Sequence, residues 1–242
     1  SYHISGEVRG MNYVGGLAGN ARVVKKSYSN GPVSADSNYV GGLVGYGNEI
    51  ESSYHMGGSV SGRNYVGGLI GRGDSANYSY HSGGEVNGVN YVGGLVGEIC
   101  SIRESSSNGS VLGQDSVGGL AGAIRYADLC GVNNSYGNGP YVKGNGSVGG
   151  LIGHFGPYRS TYERKDSLFL RDSYFKGDSV IGNANVGGLV GTSYTIINRS
   201  FSTANVRGYK NVGGLVGEYL GAKILQSFAE GNVDGENQVG GL

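Results

Sequence analysis

Apolar and polar residues alternate in short runs along this chain, and glycines separate the runs. A period of two that is interrupted at short intervals by glycine is typical of short β-strands joined by tight bends. Helical periodicity of the apolar residues is not found in any window of the sequence. The pattern therefore predicts an all-β fold.

The motif Val-Gly-Gly-Leu returns nine times, with successive spacings of 26, 26, 26, 25, 31, 38, 26 and 27 residues. The first residues of the nine copies are Val14, Val40, Val66, Val92, Val117, Val148, Val186, Val212 and Val239. Repeats of this length that each supply short strands are expected to stack in register, with adjacent strands ~4.8 Å apart. We predict a parallel β-solenoid (β-helix) of about nine coils, with roughly 26 residues per coil.

Residues 1–242 form a single repeat domain in this interpretation. Because neither end of the sequence shows a capping segment, we expect the domain to be a fragment or a repeating unit of a longer chain. Extra residues in the longer units all fall between the motif and the next Ser-Tyr pair, so the loops are expected to leave the solenoid at one corner. Within the motif, we expect a bend with positive φ at the two glycines to turn both Val and Leu inward.

Two columns of aromatic residues recur once per unit. The first is the ring of the Ser-Tyr pair, which is aromatic in every copy except the one with Ser106 and is Phe in two copies. Since the hydroxyl is lost in two copies and the ring in only one, we expect these rings to be buried and stacked. The second column precedes the motif and becomes Ser, Asn or Gln in later copies, so we expect it to face water.

The second column supplies the main candidate binding surface. Its four tyrosines are each preceded by asparagine, and the eight residues are Asn12, Tyr13, Asn38, Tyr39, Asn64, Tyr65, Asn90 and Tyr91. Tyrosine offers a large contact area at little cost in side-chain entropy, which suits a sugar polymer or a protein partner. The alternative is that the rings only shield strand edges and stabilise one another. Further contact residues are expected in the longest insertion, namely Tyr158, Arg159, Tyr162 and Arg164.

Cys100 and Cys130 each lie six residues before the ring position of their units. Equivalent positions in adjacent coils would place their Cα atoms ~5 Å apart, within the range of a disulfide. We predict a disulfide, the alternative being two unrelated small residues in a variable loop. His55 and His81 follow the ring position in adjacent units, and we interpret them as surface side chains, because nearby copies offer only serine as a further ligand and a metal needs three or more.

Enzymatic motifs are missing from the sequence. The carboxylates occupy scattered repeat positions, and we find neither a Gly-x-Ser-x-Gly motif nor a zinc-binding His-Glu-x-x-His motif. We therefore predict no enzyme activity, no metal and no cofactor. The 18 basic and 18 acidic residues are interspersed, which argues against a nucleic-acid partner. No stretch approaches the ~20 apolar residues of a transmembrane helix, so membrane insertion is not expected.

The recurring motif resembles the GLUG repeat of bacterial surface proteins. The resemblance is carried by "VGGLVG" at residues 92–97, 186–191 and 212–217, with "VGGLAG" and "VGGLIG" variants elsewhere. It implies an extracellular or cell-surface protein, in which such repeats occur in adhesin-like chains and in non-catalytic regions of immunoglobulin A peptidases. The expected function is a structural rod, stalk or adhesin repeat region that self-associates into filaments or contacts a host or matrix surface. The alternative is a solenoid that binds, or less plausibly cleaves, carbohydrate with the exposed tyrosines.

Overall fold

The computed structural model describes residues 1–125, 130–157, 168–221 and 223–242. All regular structure in these residues is β-strand, and the strands pair in parallel across coils to form four sheets. The chain visits the sheets in the same order in each coil, so we name them A, B, C and D in that order. The predicted parallel β-solenoid of about nine coils is confirmed.

Sheets A and B contain nine strands each in the described residues. Sheet A comprises Tyr2–His3, Tyr28–Asn30, Tyr54–Met56, Tyr80–Ser82, Ser106–Ser107, Tyr136–Gly137, Tyr174–Phe175, Phe201–Ser202 and Phe228–Ala229. Sheet B comprises Val8–Gly10, Val33–Ala35, Val60–Ser61, Glu85–Asn87, Ser110–Leu112, Tyr141–Lys143, Ser179–Ile181, Asn205–Arg207 and Val233–Asp234. The Ser-Tyr pair of the sequence therefore leads into sheet A.

Sheet C contains the beginning of the Val-Gly-Gly-Leu motif, and sheet D begins just after it. Sheet C comprises Val14–Gly15, Asn38–Gly41, Asn64–Gly67, Asn90–Gly93, Asp115–Gly118, Gly146–Gly149, Ala184–Gly187, Lys210–Gly213 and Asn237–Gly240. Sheet D comprises Ala18–Lys25, Val44–Glu51, Ile70–Asn77, Val96–Ile99, Ser101–Arg103, Ala121–Ile124, Gly131–Asn133, Ile152–Phe155, Phe169–Arg171, Val190–Ser193, Ile196–Asn198, Val216–Tyr219 and Ile224–Leu225. From the fourth coil to the eighth, each coil contributes two shorter strands to sheet D instead of one long strand.

Pairing between coils keeps the repeat positions in register. Val66 pairs with Val40 in one neighbouring coil and with Val92 in the other. The same register continues through the two longer units, where Val117 pairs with Val148. In both units the extra residues, which include 126–129 and 158–167, lie between the two strands that the coil contributes to sheet D. Both insertions therefore leave the solenoid at the same place, as the sequence predicted.

The core consists of columns of aliphatic side chains that repeat once per coil. The Val and Leu of the motif and the residue that follows them point inward, and Val66, Leu69 and Ile70 are fully buried. Valines of sheet B face them across the interior, as Val86 does. The inward direction that the sequence predicted for the Val and Leu of the motif is therefore confirmed.

The predicted positive φ at the motif glycines is wrong. Positive φ occurs instead at the residue before the valine, as at Tyr39, where φ is 62°, and Tyr65, where φ is 55°. The glycines are required by close packing: a Cβ on Gly41 would overlap the carbonyl oxygen of Val44, and a Cβ on Gly42 would overlap the carbonyl oxygen of Gly68. The backbone of the same coil and of the next coil therefore leaves no room for a side chain at this corner.

A second corner is stabilised by a ladder of buried serines. The backbone N–H of Ser53 donates to Oγ of Ser79 in the next coil at 3.1 Å, and the Ser79 hydroxyl donates to the carbonyl of Asn77 at 2.8 Å. The same pair of bonds recurs in most coils. Each serine thus satisfies two backbone groups that the turn leaves without partners, which explains the serine of the Ser-Tyr pair.

The predicted burial of the Ser-Tyr rings is also wrong, although the rings do stack. Tyr54 is half-buried and Tyr80 is 36% exposed, whereas the next residue of each strand, His55 and His81, is buried. The interpretation of these two histidines as surface residues is therefore incorrect. Because side chains alternate along a strand, a buried serine forces the ring outward and the following residue inward. Stacking between coils, not burial, accounts for the preference for an aromatic ring.

Candidate functional site

The tyrosines of the second column form a continuous stack at the junction of sheets C and D, which we call the tyrosine strip. Ring centroids are 4.7 Å apart for Tyr13 and Tyr39, 5.0 Å for Tyr39 and Tyr65, and 4.8 Å for Tyr65 and Tyr91. Tyr13 is exposed and the other three rings are half-buried. The rings cover each other's faces, so the strip presents ring edges and hydroxyl groups to a partner, not open aromatic faces.

A second row of side chains from sheet D packs beside the tyrosine strip. Tyr46 makes edge contacts with Tyr13 and Tyr39, with centroids 6.5 and 6.3 Å apart. In the next coil, the Arg72 guanidinium lies 5.4 Å from the centroid of the Tyr65 ring and forms an ion pair with Glu98, Nε to Oε1 2.8 Å. The strip is therefore bordered by a partly buried arginine and a buried carboxylate.

The pKa values reflect this mixed environment. Burial lowers the pKa of Arg72, but the Glu98 carboxylate and the neighbouring tyrosines outweigh that effect, and the net shift is upward. Burial, followed by the negative charge of Glu98, raises the pKa of Tyr65. Arg72 is therefore cationic and Tyr65 is a neutral hydrogen-bond donor over the whole physiological pH range.

The predicted binding asparagines are engaged with one another. The Asn64 amide donates to Oδ1 of Asn38 at 2.7 Å, and the Asn90 amide donates to Oδ1 of Asn64 at 2.8 Å. Asn12 accepts from the backbone N–H of Asn38 at 3.3 Å. This amide ladder pairs each coil with the next, which is a structural use of the residues.

Polar side chains continue the same junction into the later coils. Asn185 donates to Thr192 Oγ1 at 3.1 Å and to Glu218 Oε2 at 2.8 Å, and it accepts from the Asn211 amide at 2.7 Å. These residues hold the repeat positions that Tyr and Arg hold in the earlier coils. The junction therefore changes from an aromatic half to a hydrogen-bonded polar half along its length.

Cys100 and Cys130 form a disulfide, with their Cα atoms 4.7 Å apart. They occupy equivalent positions because Ser101 pairs with Gly131 in sheet D. The Arg125 guanidinium donates to Asp74 Oδ1 at 2.7 Å and to the carbonyl of Gly73, two coils away. This bond and the disulfide together tie three successive coils at the corner from which the insertions leave.

The four loop residues proposed as contacts, Tyr158, Arg159, Tyr162 and Arg164, lie outside the described residues.

A cleft of about 440 Å³ lies on the outer side of sheet D. Its wall includes Glu49 and Glu51, both of which are paired with Lys25 at Nζ to oxygen distances of 2.8 and 2.7 Å. Tyr78 and Phe169 provide aromatic surface on other sides of the cleft. Both carboxylates of this wall are therefore engaged with the same lysine.

The surface that the sequence interpretation missed is the outer side of sheet A, which carries a second set of stacked rings that we call the sheet A ladder. Tyr54 and Tyr80 have centroids 4.9 Å apart, and Tyr136 and Tyr174 have centroids 5.1 Å apart. Lys176 lies over the Tyr174 ring, with Nζ 4.9 Å from its centroid. The alternation Ser-Tyr-His, read as a strand with serine inside, would have placed these rings outside.

The described residues contain no group of three or more His, Cys, Asp or Glu side chains arranged to hold a metal ion. In the same residues, no helix has the length and apolar character needed to cross a membrane. Comparison with known proteins identifies no match among family models, curated proteins or solved structures. The GLUG resemblance therefore rests on the repeated motif itself.

Proposed function

We propose that this chain is a non-catalytic structural rod, serving as a stalk or adhesin repeat region of an extracellular protein. The observation that carries the proposal is the register of the sheets: sheets A, B and C stay paired from the first coil to the ninth, and sheet D stays paired from the first coil to the eighth. A body of this kind has a length set by the number of coils, at ~4.8 Å each. Its residues are committed to pairing with adjacent coils, as the serine and asparagine ladders illustrate.

Two features support an extracellular location. The Cys100–Cys130 disulfide is of a kind that persists in oxidising compartments. The resemblance of the motif to GLUG repeats implies a secreted or cell-surface chain. Labelling of intact producing cells with a membrane-impermeant amine reagent tests the location, since we expect the lysines to be modified without lysis. Modification only after lysis would contradict the proposal.

Self-association or contact with a host or matrix surface is the partnership that we expect of such a rod. Sedimentation velocity at increasing protein concentration measures the first, and binding to immobilised matrix proteins measures the second. Growth of the sedimentation coefficient with concentration would identify the rod as a filament subunit. If the protein is a monomer at all concentrations and does not bind matrix proteins, the stalk is the only one of these roles that remains.

A second candidate function is carbohydrate binding at the tyrosine strip. The observation that favours it is the row of phenol groups bordered by the Arg72–Glu98 pair, which offers donors and acceptors to sugar hydroxyls. Because ring faces are covered, recognition would rest on hydrogen bonds and not on stacking of sugar rings. A glycan array screened with the wild type, Tyr39→Asn/Tyr65→Asn and the distant control Tyr209→Ser tests it. Binding that is unchanged in the double variant would exclude the strip.

A further inference from the structure

The sheet A ladder has one interruption, which lies at Ser106. Tyr2, Tyr28, Tyr54 and Tyr80 form the first run of rings, with centroid spacings of 5.3, 5.1 and 4.9 Å. The second run consists of Tyr136, Tyr174, Phe201 and Phe228, with spacings of 5.1, 5.1 and 4.9 Å. Eight rings on one face are thus divided into two groups of four.

The register places the interruption midway between two rings. Tyr80 pairs with Ser106 in sheet A, and Ser106 pairs with Tyr136. Two coil steps of ~4.8 Å therefore separate the Tyr80 and Tyr136 positions. A ring placed between them would lie ~5 Å from each, which matches the spacing at which the ladder already stacks its own rings.

At this gap, Tyr80 and Tyr136 each have a stacked ring on one side only. Elsewhere in each run, every inner ring is covered on both sides by its neighbours. At Ser106 the side chain is too short to cover either the Tyr80 face or the Tyr136 face. Tyr80 is 36% exposed, while Tyr54, with a ring on each side, is half-buried.

Polar residues surround the gap on the outer side of sheet A. Asn108, two residues after Ser106, accepts from the backbone N–H of Gly83 at 2.9 Å, and its amide reaches Ser82 Oγ at 3.5 Å. The equivalent residue in the next coil is Asn138. An opening one ring wide with a polar border fits a small molecule better than the apolar face of a protein.

We propose that the gap at Ser106 is a binding site for one planar aromatic ring of a small molecule, such as a phenol or an indole, held between Tyr80 and Tyr136. Burial of both ring faces supplies the attraction, and the fixed coil spacing pre-organises the two walls. The site is independent of the rod function and of the tyrosine strip, which lies on another side of the coil.

Saturation-transfer difference NMR with indole tests the proposal, and methyl glucoside serves as the non-aromatic ring. We expect transfer to indole with the wild type and with Ser106→Ala, which keeps the gap open. Ser106→Tyr continues the ladder, so we expect it to remain folded and to weaken indole binding by about tenfold or more. Tyr136→Ser removes one wall and is expected to have the same effect.

Relocation of the gap provides the sharpest control. Ser106→Tyr combined with Tyr54→Ser closes the natural gap and opens a new one between Tyr28 and Tyr80, so indole binding should return. Undiminished binding in Ser106→Tyr, or no binding in the wild type, would overturn the proposal. Equal transfer to methyl glucoside would also overturn it, because the site would then not select planar aromatic rings.

Discussion

At the scale of single residues, the solenoid places non-glycine residues in left-handed backbone conformations and histidines in the core, and both placements cost free energy. Non-glycine residues occupy the left-handed region at two corners of the coil, before the motif valine as at Tyr65 and before the buried serine as at Tyr78. His55 and His81 are buried, with their rings stacked 5.3 Å apart. Each cost is offset by contacts that repeat along the rod. These positions are where substitutions report most clearly on the structure.

His81 makes the rod sensitive to acid. Burial, and then the neighbouring His55, lowers the pKa of His81 to about 3, whereas histidine in the unfolded chain has its ordinary pKa of 6.5. The folded state therefore keeps His81 neutral, and the unfolded state gains the proton as the pH falls from 6.5 towards 3. Stability from this source is fully present above pH 6.5 and is lost progressively below it, by on the order of 3 kcal/mol at pH 4.

Serine stands at the same repeat position in Ser29 and Ser107, so His81→Ser is the matched variant. Urea unfolding midpoints measured between pH 7.5 and 4 should decline less in the variant than in the wild type. The variant is expected to be less stable at pH 7.5, because the smaller side chain leaves space in the core. A wild type and variant with the same pH dependence would contradict the buried, neutral state of His81.

Substitutions at Tyr65 of the tyrosine strip test the left-handed backbone conformation at this corner. Tyr65 has a φ of 55°, and the equivalent residues of later coils include Asn185 and Asn211, which have a φ of 52°. Asparagine adopts this conformation readily and a β-branched residue does not. We expect Tyr65→Val to cost about 1–2 kcal/mol more free energy of unfolding than Tyr65→Asn.

Both variants lose the ring, so the difference between them isolates the backbone effect. Thermal melts followed by circular dichroism provide the comparison. If Tyr65→Val is as stable as Tyr65→Asn, the corner conformation is not as described.

At the scale of strands and coils, the sequence predicted the architecture and the structure determined the orientation of the side chains. The 26-residue period and the aliphatic columns were sufficient to predict parallel coils and their core, because both depend on repetition alone. The direction of the Ser-Tyr rings was not predicted correctly. A column of aromatic residues is expected both when the rings are buried and when exposed rings stack between coils. The burial of the neighbouring serine distinguishes the two cases, because adjacent side chains point to opposite faces of the strand.

At the candidate site, too, the sequence did not predict the contacts between side chains of different coils. Polar replacements in later copies predicted that the tyrosine strip faces water, whereas only Tyr13 is exposed and the other three rings are half-buried. The amide ladder of Asn38, Asn64 and Asn90 depends on distances between coils that no single repeat reveals. Spacing within the repeat did predict the partners of the disulfide, because equivalent positions of adjacent coils meet in the structure.

The disulfide joins residues 30 positions apart and therefore closes a whole coil. A crosslink over a loop of this length is expected to contribute about 3 kcal/mol, mainly by restricting the unfolded chain. Cys100→Ser/Cys130→Ser should lower the free energy of unfolding by that amount while leaving the β-rich circular dichroism spectrum unchanged. Addition of a reducing agent to the wild type should lower its stability similarly, and the double variant should not respond. A response of the double variant, or none in the wild type, would show that the bond does not stabilise the fold.

At the scale of the whole molecule, nine coils stack in register as one rod. Sheet B provides a row of positions along which this stacking can be measured. Ser61 pairs through Asn87, Leu112, Lys143 and Ile181 to Arg207, one coil at a time. Arg9 lies two coils before Ser61 through Ser34. The distance between two positions in this row is therefore expected to be proportional to the number of coils that separate them.

Distances between pairs of spin labels at these positions, measured by pulsed electron paramagnetic resonance, test the stacking of the coils. Five coil steps separate Ser61 from Arg207, and seven separate Arg9 from Arg207. At ~4.8 Å per step, the account predicts narrow distributions near ~24 Å and ~34 Å. Distances that do not grow in proportion to the number of coils, or broad distributions for both pairs, would contradict the stacked rod.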